Sequence, residues 1–460
     1  MISCAARPPR LRLDGHPLNT CDTSLYVHVP FCRSRCDYCS FYSNVAGSND
    51  NLDSFHERIE EELREMTMLF PRATVTTVYL GGGTPSALGP RRLEELLVLL
   101  EAAIVRTAGG STAGRTGGCS AGSGVREWTV EVNPEDLTED LISMLRSSPV
   151  TRLSLGVQSL DPVIRKRIGR RGGAASTLRA LQLLERLWPH GSSVDLISGV
   201  PGQGRDSAEE DVRIVAGHGI GHLSIYALSV EPDTEIARRF GGVWPDRADA
   251  TATGAWSAAI DRARAAGFDR YEVSNFALPG ERCLHNQRFW EAKPYVGLGP
   301  SAVSTFWLDH AGQLPPEAAA APSTRGSAGG RAAVRAREGR PRAVRRRRGE
   351  ERRSEWELLG VRELFLEYLM LRLRTSDGLS VSALARSFGI DPDSLFPDSL
   401  ESLQALQERG FLRLLRGGGE RCGRTERIVP TERGFRFLDG VIAEVVEALE
   451  GQLDTAMGKW

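Results

Sequence analysis

The chain has 460 residues and a mass of 50.3 kDa, more than one hydrophobic core usually serves, so a large domain with a smaller one beside it is expected. Charge is balanced, 58 Lys+Arg against 59 Asp+Glu, which excludes a generally basic nucleic-acid or membrane-surface binder and leaves any basic feature local. No run approaches the roughly 18 apolar residues of a membrane span, and MISCAARPPRLRLDGHPL lacks the apolar core of a signal peptide, so a cytoplasmic protein is expected.

Residues 1–23 read as an amino-terminal extension. Six short β-branched or aromatic runs follow: SLYVHV (24–29), TVTTVYL (74–80), REWTVEV (126–132), RLSLGVQ (152–158), SVDLISGV (193–200) and HLSIYALSV (222–230). Amphipathic segments such as RRLEELLVLLEAAI and STLRALQLLERLW separate them, and Asp161 before Pro162 marks one helix start. Six alternations of strand and helix predict an α/β fold with a parallel sheet and right-handed crossovers. The unusual residues cluster at the carboxyl ends of the runs, where a βα barrel carries its active site. Six units rather than eight predict a partial (β/α) barrel over 24–311, open enough for a large substrate.

Two stretches interrupt this pattern. TAGGSTAGRTGGCSAGSG (107–124) reads as a flexible surface insertion, and 312–354, rich in Ala, Gly, Pro and Arg, reads as a disordered linker. Its arginines are expected to be solvated rather than bound to nucleic acid. Beyond it, 355–460 reads as a winged-helix-like module: helices in EWELLGVRELFLEYLMLRLR, VSALARSF and LESLQALQERGF, then a hairpin in FLRLLRGGGERCGRTERIVPTERGF. Charges of both signs are mixed through it, which favours packing or docking over DNA binding.

The chemistry concentrates in YVHVPFCRSRCDYCSFYS (26–43), where Cys32, Cys36 and Cys39 follow the first run with the spacing C-x-x-x-C-x-x-C. Clustered thiols in a reducing compartment point to metal. A closed zinc site wants four N/S ligands, and no second knuckle follows; His28 lies within the strand run at the parity of Tyr26 and Pro30. A zinc-stabilised binding module is therefore the weaker reading. Three thiolates on a cubane iron–sulfur cluster leave one iron for a small chelating molecule, whereas electron-transfer clusters normally take four protein ligands.

The order Tyr26-Val-His-Val-Pro-Phe-Cys32-x-x-x-Cys36-x-Tyr38-Cys39 resembles radical S-adenosylmethionine (radical SAM) proteins. Together with GGGTPS (81–86), EVNPED (131–136), VDLISGVPGQ (194–203), YEVSNFALPG (271–280) and HNQRFW (285–290), it resembles the oxygen-independent coproporphyrinogen III oxidases and their relatives, the heme chaperones of the HemW type. The resemblance implies a 4Fe-4S cluster on Cys32, Cys36 and Cys39 with S-adenosylmethionine on the open iron. It also implies cofactor contacts from Gly82, Gly83, Thr84, Glu131, Gln158, Arg170 and Asp195, with Tyr26 at the methionyl end and Tyr38 against the adenine. The oxidases typically carry a fourth cysteine two residues past Cys39, whereas the chaperones, like this chain, have phenylalanine, here Phe41. HNQRFW is similar to a motif linked to heme binding, which makes His285 the candidate heme ligand, flanked by Phe289 and Trp290; Cys283 is a second possible ligand, with a buried, inert thiol the favoured reading. Histidines common in the family are absent at Gly172 and Val303. The resemblance implies a heme chaperone serving an acceptor such as a respiratory protein, with a flavodoxin or ferredoxin as electron donor; the alternative is decarboxylation of coproporphyrinogen III. No catalytic residue is assigned.

Overall fold

A computed structural model describes residues 21–46, 49–69, 73–107, 124–239, 250–307, 343–349, 354–388, 390, 400–416 and 425–457. Most of the amino-terminal extension, the insertion at 108–123 and residues 312–342 of the expected linker lie outside the described residues.

The first run forms β1 (Cys21–Val29), followed by two short strands, β2 (Phe31–Cys32) and β3 (Asn44–Val45), which pair with each other around the cysteine loop. The next runs form β4 (Ala73–Gly82), β5 (Glu127–Val132), β6 (Arg152–Gln158), β7 (Gly191–Ser198) and β8 (His222–Ala227). These six long strands are parallel neighbours in chain order, as the six alternations predict. Between and after them come α1 (Asn49–Leu69), α2 (Pro90–Thr107), α3 (Glu139–Arg146), α4 (Pro162–Arg167), α5 (Ala174–Leu187), α6 (Arg205–Ala216), α7 (Glu235–Arg239) and α8 (Ala250–Ala265). Asp161 caps α4, accepting from Val163 N and Ile164 N with Pro162 at the first helical position.

Period-2 alternation decides which face carries chemistry. Leu25, Val27, Val29, Val78, Leu80, Val130, Leu153, Leu155, Val194 and Leu223 share one core with helix residues such as Leu93, Leu96 and Leu181. Residues of the opposite parity are Ser24, Tyr26 and His28 in β1, Thr77 and Tyr79 in β4, Glu131 in β5, Ser154 and Gln158 in β6, Asp195 in β7 and Tyr226 in β8. Apolar side chains therefore hold the sheet to its helices, and polar ones line the barrel interior.

The sheet is wider than six strands. On one edge β8 pairs antiparallel with β10 (Asn275–Ala277), which pairs with β9 (Asp269–Arg270). After α9 (Leu284–Trp290), the other edge adds β11 (Tyr295–Leu298) parallel to β1, then antiparallel β12 (Val303–Trp307), β13 (Ala343–Arg348) and β14 (Ser354–Leu359). Two expectations are corrected here. Residues 343–348 are a sheet strand rather than linker, and EWELLG is strand rather than helix, the helix Val361–Arg372 starting only after Gly360. Arg346 and Arg348 are buried beside α1, Arg346 Nη1 lying 2.8 Å from Glu65 Oε1 and Arg348 Nη1 3.3 Å from Glu62 Oε1.

The carboxy-terminal unit has its own core, built on Phe365, Leu369, Leu384, Phe388, Leu403, Leu406 and Ile428. Its helices Val361–Arg372, Val381–Phe388 and Leu400–Glu408 pack with β15 (Leu379–Ser380), β16 (Leu412–Arg416) and β17 (Thr425–Pro430), in the order β15-β17-β16, and with the helix Leu438–Met457. The expected hairpin is β16–β17. This unit docks on the barrel through a bridge between Glu272 and Thr375, Ser376 N donating to Tyr271 O at 3.0 Å, and Arg270 stacked 5.1 Å from the Phe435 ring. No described helix is long and apolar enough to cross a membrane.

Candidate functional site

At the carboxyl ends of β1 and β4 to β8 lies a cavity of about 380 Å³, within the usual range for small-molecule sites. It brings together Cys32 at the end of β2, Cys36, Tyr38 and Cys39 from the loop that follows, Gly82 at the end of β4 with Gly83 and Thr84 after it, Glu131 from β5, Gln158 from β6, Asp195 from β7 and Arg170. All the sequence-predicted residues of the first cofactor site except Tyr26 are therefore found at one place.

The cysteines are free thiols held by polar neighbours. Thr84 Oγ1 donates to Cys32 Sγ at 3.7 Å and itself accepts from Asn133 Nδ2 at 3.2 Å. Arg170 closes the chain, donating from Nη1 to Cys36 Sγ at 3.6 Å and from Nη2 to Asn133 Oδ1 at 2.7 Å. Its Nε is buried without a partner, an unmet donor at the cavity wall. Burial pushes the Cys32 and Cys39 thiols up, while the Thr84 hydroxyl works the other way on Cys32. Tyr38 packs against Ile164, Ile168, Ile197 and Val200.

The deeper wall is acidic. Glu131 accepts from Tyr79 OH at 2.8 Å and Gly82 N at 3.2 Å, and burial pushes its carboxyl up to about 8, with Asp195 adding to the rise. Asp195 is likewise raised by burial and accepts from Ser154 Oγ at 3.4 Å. Gln158 sits in the left-handed region at φ 69°, an unusual backbone for a residue with a Cβ. In GGGTPS the glycine requirement comes first from the protein itself: a Cβ on Gly83 would stand 2.6 Å from Phe31 O, the backbone of the cysteine loop.

A second cavity of about 730 Å³ adjoins the first and shares Ser40, Phe41 and Tyr226 with it. Tyr26 departs from expectation here: it lines this second cavity rather than the first, its hydroxyl 3.0 Å from His28 Nδ1. Its position in β1, two residues before His28 and of the same parity, directs both side chains to the same interior face. The walls are rich in aromatic residues, among them Tyr42, Tyr79, Phe289, Trp290 and Tyr295, and Val303 occupies one of the positions that lack a family histidine.

His28 and His285 both line this cavity, in different states of engagement. Both nitrogens of His28 are occupied, Nδ1 by Tyr26 and Nε2 by Tyr42 O at 2.8 Å. His285 Nδ1 lies 2.9 Å from Thr77 Oγ1, which donates to Ser24 Oγ at 2.9 Å, so the imidazole is the donor to Thr77 and its Nε2 lone pair is left over. Burial, with Arg288 adding, holds His285 down at about 3, so the ring is neutral at physiological pH. Glu127 places it by accepting from His285 N at 2.8 Å, Leu284 N at 2.9 Å and Cys283 Sγ at 3.3 Å, and pairs with Arg152 Nε at 3.2 Å. Cys283 is buried, as expected of an inert thiol.

The model of the Radical SAM superfamily matches residues 26–215, and that of the HemN C-terminal domain matches 361–419. The chain is 33% identical over 296 residues to heme chaperone HemW of Mycobacterium tuberculosis, covering 62% of this chain and 70% of that one. It is 31% identical over 279 residues to heme chaperone HemW of Escherichia coli, covering 61% and 69%. The chain belongs to the HemW-type group of the radical SAM superfamily. A solved structure of coproporphyrinogen III oxidase (HemN) from Escherichia coli shares the fold, with a TM-score of 0.68 at 18% identity over 95% of this chain and 91% of that one.

Family membership implies a 4Fe-4S cluster and S-adenosylmethionine as cofactors. The residues fit that pair: three thiols on one short loop, hydroxyl and guanidinium donors on two of them, and a cavity beside them with an unmet donor. Sequence reading missed Asn133, Thr77, Tyr79, Glu127 and Arg152. The interior parity of Thr77 and Tyr79 with Tyr26 was a usable signal for two of them. Asn133 within EVNPED carried a signal only as part of its motif.

Proposed function

We propose that this protein is a heme chaperone that holds heme in the second cavity and passes it to an acceptor protein. The observation that carries the reading is His285: a neutral imidazole with Nδ1 tied to Thr77 and Nε2 left over, in a large aromatic cavity. Imidazole is a usual axial ligand of heme iron, and Phe289 and Trp290 offer apolar faces for a macrocycle. The names of the relatives point the same way.

In this reading Cys32, Cys36 and Cys39 hold the cluster, and Gly82, Gly83, Thr84, Glu131, Gln158, Arg170 and Asp195, with Tyr38, surround S-adenosylmethionine. Tyr26 belongs to the heme cavity. When reduced, such a cluster supplies the electron that cleaves the sulfonium bond of S-adenosylmethionine. Phe41, 64% exposed and lining both cavities, stands where an oxidase would place its extra cysteine. A cytoplasmic location, an acceptor such as a respiratory protein and a flavodoxin or ferredoxin as electron donor complete the reading.

The test is anaerobic incubation of the reconstituted protein, reductant and S-adenosylmethionine with either heme or coproporphyrinogen III. Stoichiometric heme uptake with no protoporphyrinogen IX is the expected result. Protoporphyrinogen IX formed together with 5′-deoxyadenosine would replace the chaperone reading with the oxidase one.

A further inference from the structure

We propose that the second cavity recognises its ligand by two carboxylates, one held by Lys293 of the barrel and the other by Arg374 of the carboxy-terminal unit. This deepens the heme reading and rests on it, since heme is a planar apolar macrocycle with two propionates.

The two cations reach the cavity from different parts of the chain. Lys293 follows α9 directly, its backbone N donating to Arg288 O at 3.0 Å. Arg372, at the end of the helix Val361–Arg372, donates from Nη1 to Trp290 O at 3.4 Å and so lays that helix end against the end of α9. Arg374 follows two residues later, next to Thr375, which bridges Glu272. Lys293 and Arg374 are thereby brought to the side of the cavity where the two units meet.

Arg374 retains capacity for an anion. Nη1 donates to Met370 O and Nη2 to Asp439 Oδ1, each at 3.0 Å, which uses two of five N–H donors. Asp439 is 80% exposed in its side chain, so water screens that pair. Burial and the neighbouring Arg372 both lower the Lys293 pKa, a crowding of like charge that a carboxylate would relieve. One acid faces the same space: Glu272, which accepts from Ser274 N at 3.3 Å and which burial holds at about 7. The remaining walls are largely aromatic or hydroxylic, with His28 and His285 neutral. Aromatic walls with two cations where the two units meet suit a macrocycle that carries its carboxylates on one edge.

The experiment compares heme with heme dimethyl ester, which keeps the iron and ring and lacks the carboxylates. The full-length, cluster-reconstituted protein is titrated as wild type, Lys293→Gln, Arg374→Gln and the double variant, with iron and sulfide content as the check on folding. Each single substitution is expected to weaken heme binding about tenfold and to change ester binding less than twofold, because only the charged hydrogen bond is lost. Equal weakening toward heme and ester would overturn the inference by giving both residues a purely structural role. So would unchanged heme binding in the double variant, and in that case the heme reading itself would stand. Failure of the wild type to take up heme at all would overturn both.

Discussion

Arg170 grips Cys36 and Asn133 with one guanidinium, 3.6 Å from the thiol sulfur and 2.7 Å from the amide oxygen. Through Asn133 and Thr84 the same chain reaches Cys32. The loop that carries the three cysteines is thus tied to the residues that follow β4 and β5, and a guanidinium stands beside the Cys36 thiol. Replacing Arg170 with Ala removes that charge and should make cluster reduction harder. A charge-assisted hydrogen bond of about 2 kcal/mol corresponds to about 90 mV for one electron. A potentiometric titration followed by electron paramagnetic resonance is expected to give a midpoint lower by that order, with partial recovery in Arg170→Lys. An unchanged midpoint would remove Arg170 from the cluster's electrostatics.

Glu131 offers a proton-linked signature of cofactor binding. Its folded pKa of about 8 leaves it mostly protonated at pH 7 in the free protein, and a cationic ligand favours the ionised form. Binding of S-adenosylmethionine should therefore release a proton between about pH 5 and 8. Calorimetry in buffers of different ionisation enthalpy should show that release in wild type and its loss in Glu131→Gln. Release persisting in the variant would assign the proton to another group.

His285 should shape the acid limb of the stability curve. Its folded pKa of about 3 lies below the unfolded value near 6.5, so the folded state resists protonation that the unfolded chain accepts. Its neutral form is therefore compatible with full stability above pH 6.5. Below that, stability falls by up to about 1.4 kcal/mol per pH unit. Glu131 at about 8, Glu272 at about 7 and Asp211 at about 6 act in the opposite sense, so the contribution is read as a difference between proteins. Urea denaturation of His285→Phe is expected to show a shallower loss below pH 6.5 than wild type; equal slopes would count against a buried neutral ring.

Arg348 belongs to a buried network rather than to a solvated linker. It pairs with Glu62, donates from Nε to Gly297 O at 3.0 Å, and shares Glu62 with Arg58. Arg348→Met would leave Glu62 to Arg58 and remove the bond to Gly297 O, at a cost of about 1–3 kcal/mol. Denaturation of the variant measures this, and a loss below 1 kcal/mol would show that solvent reaches the pair.

Six barrel strands were legible because each combines β-branched residues with turn punctuation, and the three thiols were legible because no four-ligand site explains them. The edge strands were hidden for an identifiable reason. In Ala343–Arg348 the buried residues at the alternating positions are Arg346 and Arg348, so period 2 was present with no hydrophobicity to reveal it. Ser354–Leu359 was absorbed into a helical reading because Gly360 is a weak stop when apolar residues recur on both sides of it. The second cavity was out of reach for another reason: Thr77 and His285 are 208 residues apart in sequence, and only the fold makes them neighbours.

In the proposed reading heme and the cluster occupy separate, adjoining cavities, with His285 on the heme side. Anaerobic heme titration of wild type, Cys36→Ala and His285→Ala tests it most directly. One heme per chain in wild type, retained in Cys36→Ala despite loss of iron and sulfide, and at least tenfold weaker binding in His285→Ala, is the expected result. Heme binding lost in Cys36→Ala and unchanged in His285→Ala would contradict it.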